Sequence, residues 1–246
     1  MKNRTSAAAG AAVAGAFLGL LWLERRRPLR RRTAPQAPRM ARNLATGAIA
    51  GAVVASLEAP LTQALADLAQ RRRLGVVPRL GLPPALEPAM ALLLLVYTLY
   101  LRHVLLHRST ALWRWHRIHH GDPDLDVSTA LRFHAMELLW SIPWRAAQVV
   151  LIGVPPRTLR LWGQLTLVEV MFHHSNLRLP ARLEQLLQRL VVTPAQHGLH
   201  HADDPALQEA NFSSGLAMWD VLHGTISPQA PQEQITIGLP AQQPAP

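Results

Sequence analysis

The histidines are the residues whose type and spacing point to chemistry. There are twelve in 246 residues, against four phenylalanines and two tyrosines. "HVLLH" places His103 and His107 four positions apart. "HRIHH" sets His116, His119 and His120 at offsets 0, 3 and 4, and "HGLHH" repeats those offsets with His197, His200 and His201. On a helix such positions share one face, one turn apart. A further pair, His173 and His174, lies in "FHHSN". Neutral imidazole ligates iron, zinc, copper or nickel through one ring nitrogen. The three boxes and His174 together offer nine donors. Two ions at roughly four or five ligands each need about that many. One tetrahedral zinc needs far fewer. An isolated i, i+4 pair is weak evidence for a metal, but two copies of H-x-x-H-H are poorly explained by composition.

Other chemistries are excluded or unsupported. The chain has no cysteine, so disulfides, thiolate zinc sites, cysteine-held iron–sulfur clusters and a cysteine nucleophile are out. No H-E-x-x-H occurs, which leaves zinc hydrolysis without its usual helix. The net charge is +10. The arginines gather between apolar runs and are not interleaved with aromatics along a groove, so no nucleic-acid partner is expected.

The boxes need elements to hold them. Apolar runs cover 7–23, 44–69, 82–101, 138–154 and 158–172, with "PP" at 155–156 breaking the last two into a hairpin. Arg145 and Arg160 fall in that hairpin and must snorkel to an interface if it enters a membrane. The segment 24–42 carries eight arginines and the segment 71–84 four, which orients the first toward the cytoplasm. The third run then exits on that side just before His103, and every box collects on one membrane face. The expected fold is all-α: an integral-membrane bundle of four or five membrane-associated helices with a cytosolic, histidine-rich helical cap. The expected setting is a bacterial-type inner membrane with the boxes toward the cytoplasm. The chain divides into anchor helices and an Arg-rich loop (1–81), a unit carrying the boxes (82–226) and a Pro/Gln-rich tail (227–246), which is expected to be poorly ordered. Trp113 and Trp115 are expected as interfacial anchors.

Over about residues 90–240 the sequence resembles the fatty acid hydroxylase/sterol desaturase superfamily of membrane di-iron oxidoreductases. "HVLLHRSTALWRWHRIHHGD" looks like the first two boxes. "TALRFHAMELLW", "HHSNLRLP", "VVTPAQHGLHH" and "NFSSGLAMWDVLHGT" are similar to the segments that follow, in order. The resemblance implies two iron ions held by His103, His107, His116, His119, His120, His174, His197, His200 and His201. It also implies use of O2 and two electrons to hydroxylate or desaturate a lipid C–H bond. His134 matches a histidine that is either a ligand or a support behind the ligands. His173 falls where the superfamily usually has another residue and is read as a neighbour without a metal role. Tyr100 matches as well. Arg132 and Glu137 are expected to pair near the site, and Asp220 to hold a ligand imidazole. Val96 stands where an acid is common, Val104 where arginine is, Ser213 for glycine and His223 for phenylalanine. With no cysteine and no H-P-G-G haem-carrier motif in the chain, an external electron-donor protein is an expected partner, alongside the lipid and the membrane.

The rival reading is a non-enzymatic membrane metal protein, a transporter or sensor. Its weakness is that the boxes flank the apolar runs, whereas transport sites usually lie near mid-membrane.

Overall fold

A computed structural model describes residues 2–239. Among them the chain is helical, with no strands and only three isolated β-bridges. Helix α1 (Lys2–Arg26) closes with Arg25 and Arg26 in its last turn, where cations suit the helix dipole. Helix α2 (Gln36–Val53) runs without a break through a π-turn (Val54–Glu58) into α3 (Ala59–Arg72). The π-turn has a local cause. Pro60 has no N–H to give the preceding turn, so the ladder opens by one residue there. Helix α4 (Glu87–Arg108) follows, then α5 (Thr110–His120), α6 (Ala135–Ile152) and α7 (Pro156–His174). Four short helices complete the cap: α8 (Ala181–Leu187), α9 (Pro194–His200), α10 (Pro205–Gln208) and α11 (Met218–His223).

Three stretches are long and apolar enough to cross a membrane: Ala8–Arg26, Gln36–Arg79 and Glu87–Arg108. The third has 22 residues, or about 33 Å at the helical rise, roughly one bilayer core. Leu18, Trp22, Leu44, Ile49, Leu57, Leu61 and Leu165 project outward from the bundle, as a lipid-facing surface requires. Helices α6 and α7 run beside these stretches. The tip of their hairpin docks on the loop before α4, where Val76 N–H donates to Leu151 O at 2.8 Å. Gly75 and Gly153 both have positive φ there, and a Cβ on either would strike the other's neighbourhood. The chain is therefore an integral-membrane helical bundle with its histidines gathered at one end, as expected from the sequence.

The hairpin arginines find partners on the bundle. Arg145 lies 3.8 Å from Glu58 of the π-turn and 4.4 Å over the Trp162 ring. Arg160 donates to Gln63 at 2.9 Å. Both partners, Glu58 and Gln63, belong to the long second helix. The tail departs from expectation. Residues 227–239 pack across the cap: Asp203 N–H donates to Thr236 O at 2.9 Å and Gly238 N–H to His201 O at 3.0 Å. Residues 240–246 lie outside the described part.

The Arg-rich segment is folded into the cap as well. Arg39, 1 % exposed, pairs with Asp122 at 2.7 Å and with Asp126, and donates to Asp124 O. Glu24 accepts from the backbone N–H groups of Val127 and Asn176, both at 3.0 Å. Arg30 donates to Pro194 O at 2.7 Å, and its backbone N–H donates to Asn176 Oδ1 at 2.8 Å. These bonds tie α1 and α2 to the loops beside the second and third boxes. Removing one member of a buried ion pair leaves an uncompensated charge, at a cost of about 3–5 kcal/mol. R39A is therefore expected to lower the thermal unfolding temperature of the detergent-solubilised protein clearly. An unchanged unfolding temperature would contradict this role for Arg39.

Candidate metal centre

Each box is delivered by an ordinary helical device. The first forms the last turn and a half of α4, and the second the C-terminal turns of α5. The third sits on α9, whose start is fixed by a capping box: Thr193 Oγ1 accepts from Gln196 N–H while the Gln196 side chain accepts from Thr193 N–H, and Pro194 occupies the first turn. His174 ends α7. Ser175, in an extended conformation, turns the chain away there.

The rings converge into two sets. His103, His107, His116, His120 and His200 form one, and His119, His174, His197 and His201 the other. Within each set the donor atoms lie within 4.8 Å of one another. Every member is buried. Box two is split between the sets, with His119 turned to one and His116 and His120 to the other. The third box is split likewise. The two sets are contiguous, since the His120 and His201 rings stack at 4.2 Å.

The hydrogen bonds of these rings fix where their protons are. His103 Nδ1 lies 2.7 Å from Phe212 O and His200 Nδ1 2.7 Å from Ala210 O. His119 Nδ1 is 3.2 Å from Arg132 O and His174 Nδ1 2.7 Å from Val170 O. A carbonyl only accepts, so each of these nitrogens carries the proton and each Nε2 presents a lone pair. Yet His103 Nε2 faces His200 Nε2 at 3.0 Å, and His174 Nε2 faces His119 Nε2 at 2.9 Å. Neutral rings in these tautomers cannot hydrogen-bond to one another. Burial, reinforced by neighbouring histidines, holds His116, His119, His120, His197, His200 and His201 well below the ordinary imidazole range, so they stay neutral near pH 7. A cation between the lone pairs resolves the conflict. Imidazole nitrogens at about 2.1 Å from one ion and at right angles to each other lie about 3.0 Å apart, or about 3.4 Å in a tetrahedron. The observed contacts, including His197–His174 at 3.1 Å and His201–His197 at 3.2 Å, match that spacing. The residues present therefore fit two metal ions bound by nitrogen alone.

Supports behind the rings come largely from places the sequence did not mark. Glu137 Oε2 takes His116 Nδ1 at 3.2 Å, and its other oxygen takes Arg102 at 3.2 Å. Arg102 also reaches Ser141. The expected Arg132–Glu137 pair does not form. Arg132 instead donates to Ile118 O at 2.8 Å and to Asn43 Oδ1 at 3.1 Å. Its backbone carbonyl is the group that serves His119. Asp220 touches no ring either. It accepts from the N–H groups of Phe212 and Ser213 at 2.8 and 2.9 Å, and from Thr225, whose hydroxyl also meets Tyr100 OH at 3.0 Å. Asp220 thus shapes the turn whose Phe212 carbonyl holds His103. Asn211, at φ 54, begins that turn, and short polar side chains tolerate the left-handed region best after glycine. His107 Nδ1 stands 3.6 Å from Glu209.

One assignment shifts. His134 stands outside both sets, capping α6 by accepting from Met136 N–H at 3.1 Å and stacking on Trp115 at 4.8 Å. Trp113 packs on the site, its ring 4.8 Å from His107 and 5.3 Å from His120. With Phe133 stacked on His119 at 4.7 Å and Phe212 5.1 Å from His107, it gives the imidazoles an apolar wall. Val96 packs among apolar neighbours around Leu95, Leu99 and Tyr100.

Fold and site together define a class: a helical membrane protein whose end carries two buried, adjoining all-histidine clusters that could each hold a metal ion. The model of the fatty acid hydroxylase family matches residues 88–225, more than half of the chain, and the chain belongs to that family. It is 28% identical over 157 residues to an ornithine lipid hydroxylase of Rhizobium tropici, covering 64% of this chain and 46% of that protein. It is 28% identical over 144 residues to the alkylglycerol monooxygenase of Xenopus tropicalis and 26% identical over 142 residues to that of Homo sapiens, in each case covering 57% of this chain and 30% of the relative. The chain thus spans less than half the length of these curated relatives. No solved structure matches it.

If Glu137 orients His116, E137Q should weaken metal binding in the five-histidine pocket by about 10- to 100-fold. The four-histidine pocket should be spared. Metal titration followed by equilibrium dialysis checks this, and wild-type affinity at both pockets would contradict it.

Proposed function

We propose that this chain is a membrane-bound di-iron oxygenase that hydroxylates a C–H bond of a lipid. One observation carries the reading: pairs of neutral imidazoles turn lone pairs toward each other at 2.9 and 3.0 Å, in two adjoining pockets. Membership of the fatty acid hydroxylase family supports it, as do relatives named as a lipid hydroxylase and as monooxygenases. Those names favour hydroxylation over desaturation. The balance is R–H + O2 + two electrons + two protons giving R–OH + H2O. Bound iron would supply the reduction of O2 and the oxidation of the C–H bond.

The chain's own residues do the rest. His103, His107, His116, His120 and His200 would hold one ion, and His119, His174, His197 and His201 the other. Carbonyls of Arg132, Val170, Ala210 and Phe212 keep the protons on Nδ1 and the lone pairs on Nε2. Glu137, held by Arg102, does the same for His116. Trp113, Phe133 and Phe212 exclude water from the rings, which limits unproductive loss of oxidising equivalents to solvent. The chain has no cysteine, so the two electrons come from a separate donor protein. The lipid reaches the pockets from the bilayer around the bundle. Residues 82–226 form the catalytic unit and residues 1–81 its anchor. The histidine end faces the cytoplasm of a bacterial-type inner membrane, consistent with the arginines of segment 24–42.

The purified protein, loaded with iron and given a chemical reductant, lipid extract and isotopically labelled O2, is expected to yield a lipid carrying one labelled oxygen atom. Metal flux into vesicles with no labelled lipid would instead establish the transporter reading. H119A should abolish the labelled product, and full turnover by that variant would contradict its place in the four-histidine pocket.

A further inference from the structure

Away from the histidine clusters, the cap holds a cavity of about 600 Å³ between the end of α1, helix α8 and helix α9. Ligand sites commonly have volumes of that order. Helix α9 divides it from the clusters. Ala195, Gln196 and Leu199 line the cavity, whereas His197, His200 and His201 belong to the ring sets on the other side. The tail closes the cavity with Ser227, Gln229 and Gln232.

The lining is short of negative charge. Arg27, Arg178 and Arg189 contribute guanidinium groups, and Glu184 contributes the carboxylate, which accepts from Thr193 Oγ1 at 2.6 Å. Among the described residues Arg27 and Arg189 have no carboxylate partner, and Arg178 meets the exposed Glu233 at 3.1 Å. A fourth guanidinium stands behind the wall. Arg30 is buried, gives Nε to Gln232 Oε1 at 3.1 Å and has no partner for Nη1. Asp124, which attracts Arg30 at longer range, is engaged by the N–H groups of Thr33 and Ala34. Gathered cations with so few counter-ions favour an anion in the cavity, and the arginine fork matches phosphate oxygens two at a time.

The position points to the source of that anion. Arg27 follows directly on the apolar stretch Ala8–Arg26. Trp22, just over a turn earlier, is exposed with Arg26 over its ring at 5.3 Å. Tryptophan and arginine together at the end of a span mark headgroup depth. On α8, Ala181, Glu184 and Gln188 line the cavity, while Leu183, Leu186 and Leu190 are exposed. An apolar helix face beside basic residues suits the boundary between acyl chains and headgroups. Leu29, Leu179 and Ile226 add apolar wall inside.

We propose that this cavity binds the phosphate headgroup of an anionic membrane phospholipid. Arg27, Arg178 and Arg189 meet the phosphate, and the acyl chains leave along the leucines of α8. The bound lipid is a resident on the rear of α9 and braces the helix that carries the third box. The proposal goes beyond lipid hydroxylation and stands without any metal in the clusters.

The test uses the full chain, stripped of lipid in detergent micelles and titrated with phosphatidylglycerol, phosphatidylcholine or inorganic phosphate. Native mass spectrometry counts the lipids bound per chain. One phosphatidylglycerol is expected to bind saturably, about 10-fold tighter than phosphatidylcholine. The double variant R27A/R189A should weaken it about 30-fold, or about 5-fold per arginine. The pair R71A/R72A removes the same charge at the end of α3 and should leave affinity unchanged. A181W, which fills the cavity without changing its charge, should block binding. Equal affinity for the two lipids would overturn the proposal, as would equal losses in the two arginine pairs or full binding by A181W. Phosphate bound with no lipid would assign the cavity to a soluble anion and overturn it too. If R27A/R189A or A181W fails to fold, a salt titration of the wild type decides. The preference for phosphatidylglycerol should fall as ionic strength rises, and a salt-independent preference would contradict the charge-based site.

Discussion

An imidazole whose Nδ1 proton is committed to a carbonyl can offer only a lone pair from Nε2. When two such rings face each other in a dry interior, the contact is repulsive unless a cation sits between them. The rest of the structure follows from that constraint. The carbonyls of Phe212 and Ala210, of Arg132 and of Val170 must be in place before the rings have a defined tautomer. The Phe212 carbonyl lies in the turn that Asp220 braces through the N–H groups of Phe212 and Ser213, the Ala210 carbonyl immediately precedes that turn, and the Arg132 carbonyl belongs to a residue clamped between Ile118 O and Asn43. The two histidine clusters are thus specified as much by main chain as by histidines.

The same constraint explains why the cap includes segments outside the family match. That match begins at residue 88, yet Glu24, Arg30, Arg39 and Asn43 bond to the loops carrying or flanking the boxes. Asn43 links directly to Arg132, whose carbonyl orients His119. The Arg-rich segment thus serves local structure around the boxes. Buried Arg39 is matched by carboxylates on the 122–126 loop, so the cap holds charge in its frame and only neutral rings at its centre.

Much of this was legible in the chain. Box offsets of 0, 3 and 4 fixed which histidines share a helix face, and Thr193-Pro194 with Gln196 is a readable helix start. The hairpin across Pro155 and Pro156 was equally plain. What could not be read is which group stands behind each ring. Most of those groups are carbonyls, which every residue type has, and their positions depend on turns such as the one at Asn211. Arg132 and Glu137 are close in sequence and opposite in charge, but they serve different rings because Arg102 reaches Glu137 from α4. His134 has the right residue type and stands apart, because it is spent capping α6. The tail looked disordered by composition, and it is instead fastened by backbone bonds to Asp203 and His201, which composition does not report.

The central claim is that the two sets of rings hold two ions. It is tested most directly by locating the ions themselves. Anomalous scattering recorded at the iron edge from crystals of the iron-loaded protein should give two separate peaks. One should fall within the set of His103, His107, His116, His120 and His200, and the other within the set of His119, His174, His197 and His201. A single peak, or density outside both sets, would contradict the account.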